Sequence, residues 1–176
     1  MRTTRPRSLL ADADIVIKAH EMEIWTDLCA NYRIIVPAIA KGEAHLYFRP
    51  GHIQGFSTDL SQVNDWEAST EEMKDIYSNF DRAFKGSIHD GEVECLAYLK
   101  ANPDEDIRLC TADGPAIKAL AMLDMAERGI SFEGALGLIG HNRTFESKDH
   151  HFTEHFFQNQ LINGHQKRIR GEGLSL

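Results

Sequence analysis

Short apolar runs alternate with stretches of helical spacing along this chain, and that alternation limits its fold more than any other feature. The runs are "LLADADIVI" (9–17), "RIIVP" (33–37), "IRLCT" (107–111) and "ISFEG" (130–134). Strands separated by helices imply a parallel sheet whose two faces are both covered. The expected fold class is therefore α/β, a three-layer α/β/α sandwich around a central parallel sheet. In such sheets ligands gather at the carboxyl ends of the strands.

The intervening segments read as helices over 18–31, 38–48, 69–85, 90–101, 113–129 and 149–163, with strand one spanning 8–17. "STEE" (69–72) is a capping box, Gly86 closes its helix, and Pro115 stands in a first helical turn. Residues 49–66, with Pro50, Gly51 and Gly55, read as an irregular loop that covers the site or a dimer face. A length of 176 residues suits one domain. We expect its body at 1–148, with a C-terminal helix and basic tail at 149–176 packed on it.

The formal net charge of −8 argues against tight non-specific nucleic-acid binding. Two basic clusters, Arg2, Arg5 and Arg7 at one end and Lys167, Arg168 and Arg170 at the other, still offer local phosphate contacts or solvated tails. Cys29, Cys95 and Cys110 are widely spaced with no C-x-x-C pair, which fits buried free thiols in a reducing cytoplasm. No window approaches 18 consecutive apolar residues, so neither a membrane span nor a membrane partner is expected. The N-terminus lacks the apolar stretch of a signal peptide.

Carboxylates stand where apolar side chains belong. Asp12 and Asp14 interrupt the first run, and Asp113 directly follows "IRLCT". Glu43 shares a stripe with Ile39 and Leu46, and Glu92 shares one with Leu96 and Leu99, while Glu94 points elsewhere. A buried carboxylate must be paired, protonated or metal-bound. One shared Mg²⁺ or Mn²⁺ would satisfy all of them, because hard oxygen ligands suit these ions. Such a centre suits attack on a phosphodiester. Simpler roles stay open at each position. Asp12 can cap a turn, Asp113 can start a helix, Glu43 can pair with Arg33 or Arg49, and Glu92 can sit at a helix N-terminus. Asp14 can be a further ligand, an orienting partner of Asp12, or a cap.

Five segments, in order, resemble the PIN-domain ribonucleases. "LLADADIVI" is similar to the family's opening strand with its aspartate, and "IIVPAIAKGE" to its second strand and glutamate-bearing helix. "HDGEVECLAYL" resembles the Gly-Glu segment, "LCTADGPAIKAL" the strand ending in Thr-x-Asp, and "ISFEGALGLI" the last strand. Together they span roughly residues 8–140. The resemblance implies a catalytic, metal-binding acidic site of Asp12, Glu43, Glu92 and Asp113; Asp14 stands where relatives commonly have Asn or Ser, and either adds a metal ligand beside Asp12, Glu92 and Asp113 or orients Asp12. It implies endonucleolytic cleavage of single-stranded RNA with Mg²⁺ or Mn²⁺, homodimers, and in many relatives a toxin restrained by a small antitoxin-like protein. Gly114 and Pro115 stand where the family often has a further acidic or polar residue, which allows a catalytically degenerate binding module instead.

The histidines offer a rival. In "DHHFTEHFF", His151 and His155 have the i, i+4 spacing of zinc ligands, with His150 or His141 as a third. That reading is a zinc hydrolase. No G-x-S-x-G elbow and no phosphate-cradling glycine loop is present.

Overall fold

The computed structural model describes residues 8–103 and 105–175. In chain order the elements are β1 (Ser8–Ala11), α1 (Ala13–Glu21), α2 (Trp25–Asn31), β2 (Arg33–Pro37) and α3 (Ala38–Glu43). Next come β3 (Leu46–Tyr47), β4 (Phe56–Ser57), β5 (Asn64–Trp66), α4 (Thr70–Ser78), α5 (Arg82–Lys85) and α6 (Asp90–Ala101). The last are β6 (Ile107–Cys110), α7 (Gly114–Met122), β7 (Gly129–Ile130), α8 (Phe132–Gly137) and α9 (Glu154–Arg170), with 3₁₀ turns at Ala126–Arg128 and Ser147–Phe152.

Five strands form one parallel sheet in the order β5-β2-β1-β6-β7. Side chains alternate across it, as the pleat requires. Leu9, Ala11, Ile34, Val36 and Cys110 pack with residues of α1, α2 and α8 on one face. Leu10, Ile35, Ile107 and Leu109 pack with α4, α6, α7 and α9 on the other. The protein is thus a three-layer α/β/α sandwich. No helix among the described residues is long and apolar enough to cross a membrane.

The chain leaves β1 toward β2 on one side, and later returns to lay β6 on the other. The carboxyl ends of β1 and β6 are therefore the switch point of this sheet, where a crevice forms.

Several boundaries differ from those read in the sequence, each for a local reason. The first strand stops at Ala11, because Asp12 is the N-cap of α1 and accepts a hydrogen bond from the Ala13 amide at 2.6 Å. The apolar "IVI" that follows is helical, with Ile15 and Val16 turned inward. The expected helix at 18–31 is two helices, divided by Glu23 in a left-handed conformation at φ 58°. Similarly, 69–85 is divided at Asn79–Asp81, where the Asp81 side chain caps α5 by accepting from the Phe84 amide. The capping box of Ser69 and Glu72 is present. The helix read at 113–129 ends at Met122, before Asp124 at φ 62°. The strand read at 130–134 is only Gly129–Ile130, since Ser131 caps α8 through the Gly134 amide. The final helix runs to Arg170, so Lys167, Arg168 and Arg170 form its last turn rather than a tail. There they favour the negative end of the helix dipole, and Arg168 pairs with Asp124. Arg2, Arg5 and Arg7 lie outside the described residues.

The irregular stretch after α3 is anchored to α1 and α2. Buried His20 places Nδ1 2.7 Å from the Val16 carbonyl, and its Nε2 accepts from the Asp59 amide at 2.9 Å. The indole of Trp25 stacks on that ring and donates to the Asp59 carbonyl at 2.6 Å. These contacts set the β3–β4 hairpin against α1.

α9 crosses α7 closely at Gly164. A Cβ there would lie 2.5 Å from the Lys118 carbonyl oxygen and 2.8 Å from the Ala121 Cβ. Gly164→Ala is expected to push the helices apart and cost about 1–3 kcal/mol through overpacking, partly offset by about 1 kcal/mol of helix propensity. Thermal denaturation should show a drop of several degrees, and an unchanged midpoint would refute the close-crossing argument.

Candidate metal centre

Three helices begin at the switch point, and each brings an acidic group. Asp12 caps α1, Asp113 caps α7, and Glu92 lies in the first turn of α6. Their N-terminal dipole ends face the carboxylates and offset part of the charge.

Asp12 is 4% exposed. Its Oδ2 accepts from the Thr111 hydroxyl at 2.9 Å, and that hydroxyl oxygen accepts from the Asp113 amide at 3.1 Å. Asp113 in turn accepts from the Ala116 amide at 2.8 Å. Thr111 thus ties the ends of β1 and β6 together. Burial, followed by repulsion from Glu92, raises the Asp12 carboxyl to about 7. Burial also raises Glu92, with Asp113 adding to it, and burial raises Asp113. Burial is the first cause at all three, so these carboxyls resist ionisation together.

His89, Glu92 and Asp113 bring ligand atoms within 4.8 Å of one another. Glu92 is positioned by its own cap, as Oε2 accepts from the His89 amide at 2.8 Å. His89 Nδ1 lies 3.5 Å from the same oxygen. Two carboxylates and an imidazole at this spacing fit a divalent cation, whose first shell spans about 4 Å between ligands.

Of the residues singled out in the sequence, the structure converges Glu92 and Asp113. Asp12 is outside that group of three but within electrostatic reach of Glu92. Asp14 is exposed in the first turn of α1, within electrostatic reach of Asp12 and Asp113. Glu43 requires a correction. It is the last residue of α3 and is exposed, so it shares no inward stripe with Leu46, which lies on β3 and is 41% exposed. Its Oε2 instead rests over the bare Cα of Gly91, 3.3 Å from where a Cβ would stand. That places Glu43 beside the first turn of α6, outside the converging set.

Glu94 also differs from expectation. It is the buried glutamate, 1% exposed, and its two oxygens accept from the Ile39 and Ala68 amides at 2.8 and 3.0 Å. It fastens the start of α3 and the approach to α4 onto α6. A helix buried on nearly every side, as Val93–Leu99 is, has no single apolar stripe to mark which glutamate turns inward.

His89 was missed. It precedes the helix by one residue and carries no spacing signal. Only the fold brings it to Asp113.

The zinc arrangement loses its geometric basis. His151 lies in the 3₁₀ turn and His155 in α9, with the Thr153 cap between them, so the pair does not share one helix face. His155 is exposed beside the Asn159 amide, 3.1 Å away. The thiols of Cys95 and Cys110 are free and buried, while Cys29 is half-buried.

No family model, no curated protein and no solved structure matches this chain.

Proposed function

We propose that this protein is a divalent-metal-dependent endoribonuclease acting on single-stranded RNA. The observation that carries the reading is the convergence of His89, Glu92 and Asp113, with buried Asp12 in electrostatic reach, at the switch point of a parallel sheet. The ordered resemblance to PIN-domain ribonucleases supports it.

His89, Glu92 and Asp113 would hold the cation, and Asp12 acts on Glu92 through its charge. When bound, the ion supplies a polarised phosphodiester and an activated water. The amino ends of α1, α6 and α7 face the same crevice and favour the approach of a phosphate. Thr111 keeps Asp12 and Asp113 in register through its single hydroxyl. The three free cysteines suit a cytoplasmic setting.

The imidazole bears on which ion is taken. Nitrogen ligation favours Mn²⁺ and the later transition metals over Mg²⁺. The His89 side chain is 77% exposed, so His89→Ala leaves the fold intact. Calorimetric titration should show Mn²⁺ affinity falling roughly tenfold in the variant, with Mg²⁺ changed much less. Equal losses for both ions would remove His89 from the ligand set. The function itself is tested by incubating the protein with single-stranded RNA and Mn²⁺. Internal cleavage that stops on adding EDTA is the expected result. Intact RNA at millimolar Mn²⁺ would overturn the reading and leave a binding module.

A further inference from the structure

A cleft of about 550 Å³ opens beside the second half of α1, bounded by residues 48–50 after β3 and by 144–149. It begins at Lys18, one helical turn along α1 from Asp14, whose charge reaches Asp12 and Asp113. Asp14 and Lys18 are four residues apart on α1, hence neighbours on its surface. The facing segment keeps the same order, because Asp149 accepts from Lys18 at 2.8 Å while His151 lies within electrostatic reach of Asp14.

The polar lining is balanced. Lys18, Arg49 and Lys148 bring positive charge, and Glu21, Glu146 and Asp149 bring negative charge. Such a lining is no anion trap. Lys18 pairs with Glu21 and Asp149, and Lys148 with Glu146, so the lining is close to neutral and suits an uncharged flat group with a mixed hydrogen-bonding edge. Phe48, 55% exposed, and Phe145 supply aromatic walls. Arg49 lies over the Phe56 ring at 4.9 Å and donates to the Tyr47 hydroxyl, but its buried Nε has no acceptor. Its Nη2 also lies 3.7 Å from Glu23, and the side chain is 41% exposed at the cleft. Nucleobases combine the two demands, a stacking face and an edge of donors and acceptors.

We infer that this cleft is a nucleobase subsite, holding one unpaired base of the RNA beside the scissile phosphate. The inference rests on the nuclease reading above, and adds where the substrate's single-stranded character is sensed. A base in a duplex cannot leave its stack to enter the cleft without a cost in pairing and stacking.

The test uses two substrates with Mn²⁺. Bis(p-nitrophenyl) phosphate is a diester too small to span the centre and the cleft, and a single-stranded RNA octamer reaches both. Phe48→Ala should raise KM for the octamer roughly tenfold, with kcat for either substrate unchanged within about twofold. An octamer carrying one abasic residue, walked along the strand, should at one position near the cut lose the same factor with the wild-type protein and nothing further with the variant. A wild-type KM in Phe48→Ala, or a penalty that does not couple to any abasic position, overturns the subsite while diester hydrolysis leaves the metal centre standing. Absence of hydrolysis of both substrates by the wild-type protein overturns the nuclease reading, and the subsite with it.

Discussion

Asp12→Asn should abolish metal-dependent RNA cleavage and at the same time stabilise the metal-free protein at alkaline pH. Both effects come from one buried carboxyl. Its folded-state value of about 7 lies far above the roughly 3.9 of an unfolded aspartate. Below about pH 4 the group is protonated in both states and brings no penalty. As pH rises through 7 the folded protein must ionise a side chain buried against Glu92, while the unfolded chain has already done so. Stability is therefore present at low pH and lost as pH rises through the folded value. The full effect is on the order of 4 kcal/mol. The raised values of Glu92 and Asp113 act in the same direction.

Asparagine removes the ionisation. Its carbonyl can still accept from the Ala13 amide, and its amide can donate to the Thr111 hydroxyl. In EDTA at pH 8 the variant should melt roughly 5–10 °C above the wild type, the gap should shrink to less than half at pH 5, and below about pH 4 the two should nearly coincide. Cleavage should fall at least a hundredfold, since the buried group that interacts with Glu92 no longer carries charge. A wild-type midpoint that tracks the variant's at every pH between 5 and 8 would refute the electrostatic account.

Glu94→Ala should have the largest structural effect. Removing that carboxyl strands the Ile39 and Ala68 amides and opens space inside the α6 layer. Each stranded donor costs about 1–3 kcal/mol, so a total of about 3–5 kcal/mol is expected. For a chain of this length the midpoint should fall by roughly 10 °C or more. Glu94→Gln keeps one acceptor and should recover about half of the loss. Chemical denaturation of the three proteins measures this directly. A loss under about 1 kcal/mol in Glu94→Ala would show that the two amides find other partners.

The architecture was legible in the sequence because its strands are short apolar runs with distinct punctuation. "RIIVP" and "IRLCT" matched the observed strands within one residue, and "STEE" capped the helix it announced. Errors arose where a local cap overrode an apolar pattern. "LLADADIVI" has a strand's composition throughout, yet Asp12 ends the strand and starts a helix inside it. The site was legible in part. Asp113 and Glu92 stand out because they open helices after turns, and the fold brings them together. Glu43 and Glu94 were exchanged in role, since periodicity cannot orient a helix as short as α3 or one as fully enclosed as α6. His89 left no trace, because its place depends on α6 and α7 meeting in three dimensions.

β1 is central in space but first among the described elements, and one of its two pairings, Leu10 with Leu109, joins residues far apart in the chain. The hydrogen bond from Thr111 to Asp12 spans 99 positions. During synthesis, β1 and β2 emerge long before β6 exists. Until then the growing polypeptide has an exposed strand edge where the crevice will be, and lacks Asp113 altogether. The crevice is therefore complete only once β6 and α7 have docked. A chain interrupted before that point holds Asp12, His89 and Glu92 but neither Thr111 nor Asp113, so the acidic group cannot converge until β6 and the start of α7 are in place.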